Sequence, residues 1–286
     1  MPRFYRNAAR RRDVTARRVA AAAMPYACAM LKTIFTRLAH RLAVLLLLAA
    51  AGGSAWAQAL VVAADSSLGE AMTRVARDFE ATRKGVTVTL RLGASGVLLE
   101  QIGRGTTTDV LAAADAETVA LGVQRRLLLA DLRSSFASNR LVLVVPASLN
   151  LPVQRLADLA RPEVVRVAMG RHASEPAGRY AREAINAQRL WPAVQRKAVW
   201  VDDVRELLAL VAAADVEAGF VYATDVAAAA AGRVRVVETL PTSTPIRYPA
   251  NVVAGSRQPE LARDFIAYLR SEPARAVFQR FGFGLP

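Results

Sequence analysis

Five short stretches of this chain place hydroxyls and backbone amides where they could do chemistry together: Asp65-Ser66-Ser67, Gly93-Ala94-Ser95-Gly96, Glu175-Pro176-Ala177-Gly178, Asp202-Asp203-Val204 and Tyr222. All but Tyr222 stand ahead of a segment with helical spacing. A serine in such a place ordinarily caps the helix by accepting an N–H bond. As a set, the stretches point further. Helix N-termini expose unpaired N–H groups and about half a positive charge, so several facing one crevice make an anion site without Lys or Arg. Ser and Tyr hydroxyls add donors. Such a cage suits a small, fully deprotonated oxyanion held between two lobes.

Other chemistries have little to work with. Beyond residue 57 there is no cysteine and one histidine, His172. This removes disulfides, thiolate nucleophiles and Cys/His metal centres. A serine hydrolase using Ser95 or Ser67 with His172 and an Asp is the competing enzymatic reading. Gly93-Ala94-Ser95-Gly96 is not the G-x-S-x-G elbow, however, and His172 lies in the polar stretch Gly170–Ser174, as a solvated loop residue would. The expectation is a binding protein and not an enzyme.

The elements that must position these residues alternate. Ala59–Ala64, Val110–Ala114 and Leu141–Val145 are continuous apolar runs, as in strands buried on both faces. Leu68, Met72, Val75 and Phe79 recur at three- and four-residue spacing among Glu70, Arg74, Arg77 and Asp78, the mark of an amphipathic helix. Strands are predicted at 86–92, 164–169, 198–201, 218–222, 234–237 and 251–254. Helices are predicted at 96–103, 178–188, 204–214, 259–270 and 273–281. Alternation of this kind implies α/β lobes with parallel sheets flanked by helices. No linker divides the body, so the chain should cross between lobes within strands, near Leu141–Val145 and Tyr248–Ala254.

The whole chain of 286 residues carries 38 Lys+Arg against 24 Asp+Glu, which would suggest nucleic acid. Ten of those bases and one acid fall in residues 1–57, leaving 28 against 23, and most of that signal goes with them. Met30–Ala57 has a basic start, the apolar run Leu42–Ala51 and the ending Ala55-Trp56-Ala57, the anatomy of a secretory signal with cleavage expected after Ala57. Ten apolar residues reach only about 15 Å as a helix, too short for a bilayer core. Residues 1–29 fit no part of that plan and stand as extraneous. Arg74, Arg77, Arg83, Lys84, Arg125, Arg126, Arg179 and Arg182 read as solvated surface.

The stretches AADSSLGEAM (63–72), LGASGVLLEQI (92–102), DVLAAAD (109–115), EPAGRYAREAI (175–185), DDVRELLALV (202–211), GFVYATD (219–225), YPANVVAG (248–255) and FQRFGF (278–283) follow one another in an order that resembles the periplasmic molybdate-binding proteins of ABC importers. The resemblance spans about Leu60–Gly284. It implies a type II periplasmic binding fold: two lobes, each a mixed, mainly parallel sheet flanked by helices, with the ligand cleft between them. Residues 58–141 plus 249–286 would form lobe 1 and 142–248 lobe 2. It further implies a monomer in the periplasm that captures molybdate, tungstate included, and hands it to a permease and ATPase at the inner membrane, with no cofactor and no nucleic acid. A cytosolic sensor is the remote alternative within the fold; no helix-turn-helix precedes Leu60.

By the family's motifs the oxyanion would be held by Ser67, Ser95, the backbone N–H of Ala177 and Val204, and the Tyr222 hydroxyl. These groups would meet molybdate through its oxygens and not as a bare metal cation. Two departures bear on the ligand. The family commonly has small neutral residues where this chain has Asp65-Ser66, and neutral residues are frequent at Glu175. A unit-charge pair about 4 Å apart costs about 4 kcal/mol at an effective dielectric of 20, so both acids are expected to point to solvent. The alternative is another tetrahedral oxyanion, sulfate or phosphate; an inward carboxylate could accept a bond from a protonated one such as hydrogen phosphate.

Overall fold

The structure is a computed structural model that describes residues 58–130, 135–229 and 232–286. The signal segment and Cys28 lie outside the described residues. Two five-stranded sheets carry the fold. In the first, β1 (Gln58–Asp65) lies parallel to both β2 (Val86–Gly93) and β3 (Val110–Ala112). The edge strand β4 (Ser135–Asn139) is joined to β3 through β10 (Ile246–Val252), which runs antiparallel to both. In the second, the order is β7 (Ala198–Val201), β6 (Val167–Gly170), β8 (Ala218–Tyr222), β5 (Leu141–Pro146) and β9 (Val234–Leu240). Here too β6 pairs in parallel with its neighbours and β5 antiparallel with its own.

Each sheet is therefore mixed and mainly parallel, as expected: four strands run one way and a single strand, β10 in the first and β5 in the second, runs against them. The chain passes to the second sheet at Arg140 and returns between Leu240 and Ile246. Ile246–Tyr248 pair with β4, so the return precedes the expected strand 251–254 by several residues. The reason is local. Pro249 offers no N–H, the register slips between Tyr248 and Pro249, and the segment lacks a clean apolar alternation. β4 itself, SFASN, is too polar to announce a strand.

Burial on both faces explains the apolar runs. All six residues of β5 are buried, as are Leu60 and Val62–Asp65 of β1. The first helix, α1 (Gly69–Thr82), lays Met72, Val75 and Phe79 into the core, where the Phe79 ring meets Phe265 edge-on at 5.1 Å. α2 (Ser95–Gly103) and α3 (Ala116–Gln124) complete the first lobe's early layer. α4 (Pro176–Ala187), α5 (Trp191–Gln195), α6 (Val204–Ala212) and α7 (Ala223–Ala229) belong to the second. α8 (Pro259–Leu269) and α9 (Glu272–Arg280) return to the first, with Phe278 of α9 against Phe136 of β4. Among the described residues no helix is long and apolar enough to cross a membrane.

Candidate functional site

β1 ends in Asp65, fully buried, directly before the 3-10 turn Ser66–Leu68 and beside the start of α2. Its carboxylate takes donors from both. Oδ1 accepts the Ser67 N–H (3.2 Å) and hydroxyl (2.7 Å); Oδ2 accepts the Ser95 N–H (3.2 Å) and hydroxyl (2.5 Å). Ser95 Oγ in turn accepts the Ala114 N–H at 3.0 Å. Asn139 Nδ2 donates to Tyr248 Oη (3.1 Å), which directs the phenolic proton toward Ser67 Oγ at 3.1 Å. The network thus runs one way, from Asn139 through Tyr248 and Ser67, and from Ala114 through Ser95, to a single carboxylate.

The second lobe has a matching acid. Glu175, 1% exposed, caps α4: Oε2 accepts the Gly178 N–H at 2.7 Å. Oε1 is buried with no partner. Gly170 makes room, since a Cβ there would fall 2.3 Å from Glu175 Oε2. Asp203 caps α6, with Oδ1 accepting the N–H groups of Arg205 (2.8 Å) and Glu206 (3.0 Å). Tyr222 closes β8. Its N–H donates to Asp225 Oδ2 at 2.9 Å, its ring lies 6.0 Å from that of Tyr248, and its buried hydroxyl has no partner.

The lobes meet at these helix starts. Gly96 N–H, in the first turn of α2, donates to the Ser174 carbonyl just before α4 at 2.8 Å, and a Cβ on Gly96 would lie 2.6 Å from that oxygen. Arg205 Nε, in the first turn of α6, donates to the Ser66 carbonyl at 2.9 Å. Arg179 of α4 pairs with Asp115, the cap of α3, and donates to Thr118 Oγ1 at 2.9 Å. Of the five residues picked out by sequence, Ser67 and Ser95 share Asp65, and the Tyr222 ring packs on that of Tyr248 without a hydrogen bond to the network. Ala177 and Val204 occupy the first turns of the two helices whose ends touch the other lobe. All five are buried.

The expectation that Asp65 and Glu175 face water is overturned: both are inside. The physical reason is that helix starts supply the N–H donors and partial positive charge that make a buried carboxylate tolerable. The acids therefore cap, where the serines were expected to. Burial raises the Asp65 carboxyl above its ordinary value against the opposing bonds from Ser95 and Ser67. Burial, then the charge of Asp65, pushes Glu175 up to about 8. Burial raises Asp225 to about 7, partly offset by the Tyr222 amide. The Tyr222 and Tyr248 phenols are held well above their usual range by burial first, so both remain proton donors.

Two further expectations need correction. His172 is not a plain solvated loop residue: its ring sits 5.6 Å from Trp200 and 6.1 Å from Trp191, and its Nδ1 is buried without a partner. Burial, with Arg182 and Arg179, lowers its pKa. Arg179 is not solvated surface either, because it bridges the lobes. Tyr248, Asn139 and Asp115 escaped the sequence reading of the site. Tyr248 sits inside an apolar crossing segment, and Asp115 had only its place after a buried strand to recommend it. Among the described residues no group of three or more His, Cys, Asp or Glu could hold a metal ion.

Residues 60–284 match the family model described as bacterial extracellular solute-binding protein. The chain is 31% identical over 247 residues to the molybdate-binding protein ModA of Haemophilus influenzae, covering 83% of this chain and 95% of that one. It is 31% identical over 230 residues to the molybdate-binding protein ModA of Escherichia coli, covering 78% and 88%. Among solved structures, the periplasmic molybdate-binding protein of Azotobacter vinelandii superposes with a TM-score of 0.68 at 21% identity, covering 79% of this chain and 99% of that one. That last likeness is one of fold.

Proposed function

The chain belongs to the family of bacterial extracellular solute-binding proteins, and from that premise we propose that its exported form captures molybdate, with tungstate as a second guest, and delivers it to an ABC permease and its ATPase at the inner membrane. The relatives named above support the ligand class. The observation that carries the reading is the meeting of four helix starts, two from each lobe, together with a fully buried Tyr222 hydroxyl that has no partner. A polar group left so inside a fold costs stability unless something arrives to bond it.

In this reading Ser67, Ser95 and Tyr222 donate hydroxyls, and Ala177 and Val204 donate backbone N–H groups, to the oxygens of one tetrahedral oxyanion. No bond is made or broken in the guest. Only the closed arrangement supplies donors from both lobes, so the guest draws the population toward closure through its differential affinity. Discrimination against sulfate falls to size, since the two dianions share shape and hydrogen-bonding needs.

Calorimetric titration of refolded, ligand-free protein with molybdate, tungstate, sulfate and phosphate tests this. Molybdate is expected to bind at micromolar concentration or tighter. Tyr222→Phe should weaken it about tenfold, in line with one lost hydrogen bond, while leaving the unliganded protein as stable as before or slightly more so, because the hydroxyl it removes has no partner there. Failure of every oxyanion to bind would defeat the proposal. An unchanged affinity in Tyr222→Phe would defeat the placement of the guest.

A further inference from the structure

The two buried acids have a consequence for what the site can hold. A serine hydroxyl has one proton, and those of Ser67 and Ser95 both point at Asp65. The amide of Gly178 at the start of α4 points at Glu175. Two of the helix starts that an oxyanion would use are thus already answered by the protein's own carboxylates. What remains buried without a partner at these helix starts and beside them is Glu175 Oε1, an acceptor when ionised, and the hydroxyls of Ser66 and Tyr222.

The surrounding charges do not cancel this. From α3 and α4, Asp115 and Arg179 face the acids but are paired with each other, and Tyr180 of α4 is a neutral phenol. From α6, Arg205 lies on the Ser66 carbonyl, and Asp203 bonds the amides of its own helix. From β10 and β8 come the protonated phenols of Tyr248 and Tyr222, and from α7 the carboxyl of Asp225. A dianion set among two ionised carboxylates in this water-poor space meets like charge on both sides.

We propose that Asp65 and Glu175 are specificity-determining residues, and that the site holds its tetrahedral oxyanion together with one proton, shared between a carboxyl oxygen and an oxyanion oxygen. The inference rests on the oxyanion reading of the site. The proton replaces a repulsion with an O–H···O bond. When it lies on Asp65, the hydroxyls of Ser67 and Ser95 are released to turn toward the guest. It comes from solvent at neutral pH, or from the anion when that is itself protonated. Burial favours the protonated carboxyl at both acids, and the charge of Asp65 adds to it at Glu175, which agrees with this assignment. The site is then biased toward oxyanions that tolerate a proton and against those that stay aprotic.

The test is titration with molybdate between about pH 5.5 and pH 8.5, in pairs of buffers with different ionisation enthalpies, so that the protons taken up per anion are counted. Close to one proton per molybdate is expected at the alkaline end, with affinity falling there by up to about tenfold per pH unit. Glu175→Gln and Asp65→Asn, which keep a neutral group of the same shape, should each reduce the proton count and flatten the pH profile. Wild-type protein that binds molybdate with no proton uptake and a constant Kd across that range would overturn the inference while sparing the oxyanion reading. Absence of molybdate binding at every pH would remove both. The wild-type count decides the matter even if a variant fails to fold.

Discussion

Arg179→Met should weaken oxyanion binding by about 10²- to 10³-fold while changing the melting temperature of the unliganded protein little. The Arg179 side chain is 16% exposed and that of Asp115 only 5%. Nε donates to Asp115 Oδ2 at 3.0 Å, Nη2 donates to the same oxygen and to Thr118 Oγ1 (2.9 Å), and Nη1 donates to the His172 carbonyl at 3.4 Å. Removing one partner of a buried pair leaves the other charge uncompensated, at a cost of about 3–5 kcal/mol. In most proteins that cost would fall on folding. Here the partners stand on opposite lobes, so parting the lobes returns Asp115 to water, and it keeps the α3 amide of Thr118 that it caps. The penalty therefore falls on closure and through closure on affinity, since binding draws on a closed form that is now scarcer. Calorimetry gives the affinity, thermal unfolding without ligand gives the stability, and small-angle scattering gives the extent of opening. A large drop in melting temperature with unchanged affinity would mean that the pair holds the fold and not the clasp.

The unliganded protein should gain stability as pH falls from about 8 to about 5. Glu175 and Asp225 are moved up from 4.5 to about 8 and from 3.8 to about 7. Across the window between ordinary and raised values the folded state keeps protons that the unfolded chain has released, so stability declines with rising pH. It is fully present below the ordinary carboxylate range and lost as pH passes through the raised values. At about 1.4 kcal/mol per unit, displacements of about three units each amount to several kcal/mol. Glu175→Gln should flatten the upper part of the profile and leave the variant more stable than wild type above about pH 8; Asp225→Asn should flatten the part below about pH 7. Thermal melts at closely spaced pH values check both. A midpoint that climbs with pH over this interval would show that the two carboxylates are ionised at no cost in the fold.

Much of the scaffold was legible because burial leaves a simple trace. Leu68, Met72, Val75 and Phe79 fall on one stripe and enter the core together, and LVLVV can only be a strand covered on both faces. SFASN and IRYPANV left no such trace, one being polar and the other interrupted by Pro249. The helix starts could be placed from their strand ends; the five candidate residues among them came from the resemblance to the family. The direction in which Asp65 and Glu175 point could be read from neither. Charge alone argued for solvent, and the counter-argument lies in amides and hydroxyls contributed by residues up to thirty positions away, as Ser95 is from Asp65. Tyr248 and Asn139 were hidden for a related reason: their contacts form only once β10 has returned to lie beside β4.

The touching point at Gly96 has a mechanical meaning. Main chain there rests on main chain, Gly96 nitrogen on Ser174 oxygen, with no side chain between them to rotate aside. The proposed shutting movement would consequently end at a hard stop, like the jaws of a caliper set to one gauge. On the proposed reading, rotamer changes could not widen the space for the guest, so an ion with longer bonds would prop the jaws apart and one with shorter bonds would leave the opposite wall out of reach.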